Sequence, residues 1–205
     1  MDLDWFRWRR MLPALLAVLC LVTAALAGDD KPENSTNQYK WHLTVYGGAS
    51  AQKDINDVVT FQAKFTDNAY IVVAALAREL WHYKKYLDFE IEGQLGKHFN
   101  RDTLWEFNGL VVGRWHLFPW NDYVRTSFAV GEGMSYYSEV SRVEKEEDDE
   151  NATRLLNYLL FELATGLPAY PKWDLVFRIH HRSSVWGLIG AGGSNYVCAG
   201  VKYSF

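Results

Sequence analysis

The sequence predicts an all-β fold: an eight-stranded antiparallel transmembrane barrel preceded by a cleavable signal peptide. Three observations carry this. Residues 1–27 read as an export leader, the rest alternates apolar and polar residues with period two, and short connections alternate with mostly longer ones.

In the leader, Arg7, Arg9 and Arg10 form a positive n-region and Met11 to Ala24 an apolar core. Ala25-Leu26-Ala27 fits the small-x-small cleavage rule, placing the mature start near Gly28. An uncleaved anchor helix is the alternative, and Leu19 before Cys20 is a poor lipobox residue. Residues 28–39 are polar, with Pro32 and Asn34, and read as a flexible lead-in to a barrel over 40–205.

No later segment approaches the ~20 consecutive apolar residues of a membrane helix. Strands are expected at 40–49, 69–80, 86–97, 104–116, 122–134, 155–167, 172–183 and 194–205. Short turns at 81–85, 117–121 and 168–171 alternate with 50–68, 98–103, 135–154 and 184–193, the pattern of periplasmic turns and outer loops.

Facing follows from parity. Trp173, Leu175, Phe177 and Ile179 share one face, and Asp174, Arg178, His180 and Arg182 the other. Trp105, Phe107, Val111 and Trp115 oppose Glu106, Asn108 and Arg114, while Leu87, Phe89, Ile91 and Leu95 oppose Asp88, Glu90, Glu92 and Gln94. Charges of both signs facing inward suit a packed polar lumen, where they must be paired; Glu162, Arg114 and Arg178 are the expected partners. A soluble lipocalin-like barrel would reverse the facing, and alternation alone leaves it open. The terminal Val201, Tyr203, Phe205 alternation is like an outer-membrane insertion signal, so the expected location is the bacterial outer membrane.

Composition agrees. The 205 residues suffice for one domain, and a net charge of −4 gives no nucleic-acid footprint. The 9 Trp, 12 Tyr and 11 Phe suit interfacial aromatic belts. Past the leader only Cys198 remains, so no internal disulfide is expected; no Cys/His spacing suggests a metal, and no cofactor is implied.

The informative stretch is Arg178-Ile179-His180-His181-Arg182-Ser183-Ser184. Continuing the apolar face past Ile179 puts His181 and Ser183 on the lipid-facing side at the outer interface. Same-face neighbours lie about 6.5–7 Å apart at Cα, within reach of a base–nucleophile hydrogen bond. On the eighth strand the outward series Phe205, Tyr203, Val201, Ala199, Val197 leads to Asn195, which can approach His181 and hold its tautomer. Interfacial His, Ser and Asn are also ordinary at strand ends, so the triplet alone leaves both readings standing. His180 and Arg182 face inward as lumen members.

These residues resemble the lipid A 3-O-deacylases of the PagL type and the broader acyloxyacyl-hydrolase-like group, which carry an H-x-S-N motif near the end of the seventh strand and a carboxylate about a dozen residues later. The resemblance implies an outer-membrane serine esterase acting on lipid A, within lipopolysaccharide, with His181 as general base and Ser183 as nucleophile. Two positions depart from the pattern. Ser184 replaces the motif's asparagine, weakening an oxyanion contribution, and Asn195 stands where the carboxylate falls. Backbone amides from Ser184 to Gly187 are the expected oxyanion donors, and Glu132 is a substitute acid far round the barrel. The competing function is a non-enzymatic barrel whose loops bind lipopolysaccharide or a partner. The acidic run Glu144 to Glu150 reads as a solvated loop or a divalent-cation site.

Overall fold

The computed structural model describes residues 39–51, 58, 62, 64–147 and 150–205; the leader, most of the lead-in and part of the acidic run fall outside them. Eight strands close into one antiparallel barrel in sequence order: β1 (Trp41–Ala51), β2 (Phe65–Tyr83), β3 (Leu87–Asn100), β4 (Trp105–Trp115), β5 (Arg125–Tyr137), β6 (Leu155–Gly166), β7 (Trp173–Ser183) and β8 (Gly193–Ser204). β1 pairs with β8 to close the wall, so no strand edge is left open.

The expected strands match these within a few residues, and the differences have local causes. β2 runs on to Tyr83 because a bulge between Glu79 and Trp81 absorbs Leu80, which breaks the alternation in sequence but restores the facing. β5 starts at Arg125 because 116–124 makes a wider turn, closed by Asn121 Oδ1 accepting from the Thr126 N–H at 2.9 Å.

Polarity is inverted relative to a soluble barrel. Leu43, Val72, Ile91, Phe107, Val111, Leu163 and Phe177 are exposed on the wall, whereas Glu90, Glu92, Glu106, Glu162, Arg114, Arg178 and Lys202 are buried within. Such an exterior is stable only against lipid, which excludes the lipocalin-like alternative. The lumen is filled. Glu162 accepts from Arg114 Nη1 at 2.6 Å, Arg178 Nε at 2.5 Å and Lys202 Nζ at 3.0 Å. Arg178 also bridges the lumen to Glu92, and Arg114 pairs with Glu90. Nearer the outer end, Glu106 binds His180 and His98, each at 2.9 Å, and the Tyr158 hydroxyl lies 2.9 Å from His180 Nδ1. Gly133 permits the close contact of β4 and β5: a Cβ there would sit 2.1 Å from the Gly109 carbonyl oxygen.

One expectation is corrected. Part of the acidic loop forms helix α1 (Arg142–Glu147), which lies across the outer mouth instead of being solvated throughout. Asp102 accepts from the Arg142 N–H at 2.8 Å, and Ser141 Oγ caps the helix by accepting from the Glu144 N–H at 3.0 Å. Glu144 is fully buried and accepts from Arg182 Nη1 at 2.7 Å and Ser194 Oγ at 3.0 Å.

Candidate functional site

His181 lies next to the outer end of β7, and its place follows from strand parity. Trp173, Leu175 and Phe177 are exposed, Arg178, His180 and Arg182 are buried in the lumen, and Ile179, His181 and Ser183 continue the outward face half-buried. Arg182 faces inward between His181 and Ser183, where Glu144 and the Arg154 carbonyl hold it. The backbone carrying the two outward residues is thereby fixed from the lumen side.

The ladder between β7 and β8 pairs His181 directly with Asn195. The side chains meet, His181 Nδ1 lying 2.6 Å from Asn195 Oδ1. An amide oxygen only accepts, so the proton sits on Nδ1 and Nε2 keeps its lone pair. That is the tautomer a general base needs. Asn195 is buried at 1% exposure, which holds this bond away from water and strengthens it.

Ser183 stands two residues further on the same face. Among the described residues no hydrogen bond joins its hydroxyl to the His181 ring, a spacing common in sites without substrate. Its ladder neighbours are Asn157 on β6 and Gly193 on β8. Gly193 brings no side chain, so that flank of the hydroxyl is open.

Ser184 to Gly187 turns tightly away from the strand. Val185, Trp186 and Gly187 all have positive φ, 48°, 57° and 83°, a conformation that strains a β-branched valine. The Gly187 N–H donates to the Ser184 carbonyl at 3.1 Å, so it is engaged within the turn. Glu132 is placed on the outward face of β5, in one ladder row with Leu159, His181 and Asn195. Leu159 separates it from His181, and Asn157 is its diagonal neighbour on β6.

Asn157 was not singled out by the sequence. Only the β6–β7 register brings it beside Ser183, and the one signal available was its outward parity between Leu155 and Leu159. Alongside the outward wall an apolar groove of about 520 Å³ is lined by Phe161, Leu163, Phe177 and Ile179 of the wall and by Val58 and Phe65 from the β1–β2 connection and the start of β2.

Glu144 touches the site from behind, through Arg182 and through Ser194, the neighbour of Asn195. Burial pushes its carboxyl up to about 7, against the opposing pull of Arg182. Among the described residues no three His, Cys, Asp or Glu side chains cluster so as to hold a metal ion.

No protein-family model matches the sequence, and no curated protein matches it. Its backbone is similar to solved structures. The outer membrane enzyme PagL shares 12% identity over 80% of this chain and 99% of its own, with a TM-score of 0.54. Neisserial surface protein A shares 10% identity over 80% of this chain and 96% of its own, with a TM-score of 0.49. Likeness at this identity reports the fold. By that fold, and by the apolar wall around a charged lumen, the chain is a bacterial outer-membrane β-barrel embedded in the bilayer.

Proposed function

We propose that this barrel is a serine ester hydrolase acting on an acyl ester of lipid A, with Ser183 as nucleophile and His181 as general base. The observation that carries the reading is the 2.6 Å bond from His181 Nδ1 to Asn195, which leaves Nε2 basic on the face that bears Ser183. In the reaction Ser183 Oγ adds to the ester carbonyl and gives its proton to His181 Nε2. The sugar oxygen then leaves with that proton, and water hydrolyses the acyl-serine by the same route.

The substrate class is supported by position. The site faces lipid at the outer end of the strand, where the acyl esters of the outer leaflet lie, and the apolar groove can carry the acyl chain. The H-x-S spacing resembles the lipid A 3-O-deacylases, and PagL, whose fold is similar, is described as an outer membrane enzyme. The 3-O-linked chain is therefore the favoured target. Asn195 in place of a carboxylate orients His181 but stabilises the imidazolium less, so turnover should be slow.

That neutral residue also favours a second reading, a non-enzymatic barrel that binds lipopolysaccharide or a partner through its outer loops. Mass spectrometry of lipid A incubated with the folded protein in detergent decides between them. Wild type should release a fatty acid, while Ser183→Ala and His181→Ala should release none yet keep the heat-modifiable mobility of a folded barrel. No release by wild type across lipid A variants would establish the second reading instead.

A further inference from the structure

Resting on the esterase reading, a second requirement can be assigned. When Ser183 adds to the carbonyl, the carbonyl oxygen takes up the π electron pair and needs a hydrogen-bond donor. Of the expected donors, the Gly187 amide is engaged with the Ser184 carbonyl, and with Ser184 in place of the motif's asparagine the motif supplies no side-chain amide.

Asn157 on β6 is the Cα partner of Ser183, so the two side chains stand abreast on the outward face. Such partners lie about 4.5–5.5 Å apart at Cα. On the other flank is Gly193, so Asn157 is the only ladder neighbour of Ser183 with a polar side chain. Glu132 on β5 faces the same way and stands diagonal to Asn157 across the β5–β6 ladder, within reach of its side chain. A carboxylate there can accept from one N–H of Asn157 Nδ2 and leave the second N–H of that nitrogen to turn toward Ser183. Polar side chains thus zigzag between two ladder rows across four strands of the lipid-facing wall, from Glu132 through Asn157 and the Ser183–His181 pair to Asn195.

We propose that Asn157, oriented by Glu132, is the side-chain oxyanion donor for Ser183. As the Oγ–C bond forms, the serine proton passes to His181 Nε2 and the new negative charge on the carbonyl oxygen is held by Asn157 Nδ2–H. On collapse the C–O bond to the leaving alcohol breaks, and that oxygen takes the proton from His181. Glu132 is a positioning residue, since it acts through Asn157.

The test uses the full-length barrel in detergent with p-nitrophenyl dodecanoate and lipid A as substrates and dodecylboronic acid as inhibitor. Boron becomes a tetrahedral anion on adding serine oxygen, so its affinity reports the oxyanion contact. Asn157→Ala should lower kcat about 10²–10³-fold with little change in KM. Boronate inhibition should weaken in parallel, which a merely structural role would not produce. Asn157→Asp should fall at least as far, Asn157→Gln should recover part of the rate, and Glu132→Gln should lose less than Asn157→Ala. If wild type hydrolyses both esters and Ser183→Ala neither, but Asn157→Ala keeps its kcat or loses it without weaker boronate binding, the oxyanion assignment is overturned alone. If wild type and Ser183→Ala are equally inactive, the esterase reading falls and this assignment with it.

Discussion

Glu162→Gln removes the carboxylate that three lumen cations share: Arg114, Arg178 and Lys202. Within their ion-paired cluster Glu90, Glu92 and Glu162 balance those three, so the substitution leaves one uncompensated positive charge there. At an effective dielectric of 20 each contact is worth about 4 kcal/mol of attraction. Desolvation of the carboxylate offsets most of that total, and the measured loss on breaking a buried pair is about 3–5 kcal/mol. With three partners affected, a loss of about 5 kcal/mol is expected. At a urea slope of about 2 kcal/mol per molar, the midpoint should fall by about 2.5 M. The assay is urea unfolding of the barrel in detergent micelles or lipid vesicles, followed by tryptophan emission and heat-modifiable mobility. Adding Lys202→Met restores neutrality and should recover at least half of the loss. Equal midpoints for wild type and Glu162→Gln, or a double variant no more stable than the single one, would refute the account of a charge-balanced cluster.

Three further outcomes are expected. Asn195→Ala should slow fatty-acid release by freeing the His181 ring, whereas Asn195→Glu should preserve or raise it by adding a carboxylate at Nδ1; equal rates for all three proteins would remove Asn195 from the site. Glu144 has its folded value raised from 4.5 to about 7, so the folded state holds the proton more tightly and stability falls as pH rises through that window. That span corresponds to about 3 kcal/mol; amide protection in 138–147, corrected for base-catalysed intrinsic exchange, should therefore fall between pH 5 and pH 8 in wild type and much less in Glu144→Gln, and an equal fall in both would contradict it. Gly133→Ala should destabilise by about 1–3 kcal/mol, because a methyl meets the Gly109 and Leu110 backbone and cannot swing away; unchanged thermal unfolding would mean that β4 and β5 separate freely.

The wall of the barrel was legible because parity is a local property. Phe177, Ile179, His181 and Ser183 declare their face within one strand, and Val197 and Asn195 do so within the next. His181 and Asn195 could be matched because 184–192 is short and both residues lie near it. Asn157 was hidden for the complementary reason. Its contact with Ser183 depends on where β6 stops and β7 starts across the periplasmic turn at 167–172, and a shift of two residues keeps every face while changing every partner. Glu144 was misread because its neighbours in sequence are acidic and its burial depends on Asp102, Arg182 and Ser194, each from a different part of the chain. The bulge at Leu80 concealed the end of β2, since two outward residues in succession look like the end of a strand.

The contact of Arg178 with Glu92 joins side chains 86 positions apart, and His42 with Ser204 joins the two ends of the barrel across 162. Neighbouring strands pair part of the set, Arg114 with Glu90 and Arg178 with Glu162, but Glu92 with Arg178 and Glu162 with Arg114 and Lys202 close only across the barrel. A half-zipped sheet entering the bilayer would carry Glu92 and the remainder of the shared cluster incompletely paired into hydrocarbon, at high energy. Insertion and closure are therefore bound into one cooperative step, and the strands must curl toward each other at the membrane surface before they cross. The same arithmetic makes the finished barrel slow to leave: extracting any strand unmatches the rest, which gives the protein a long residence in the membrane whatever its equilibrium stability.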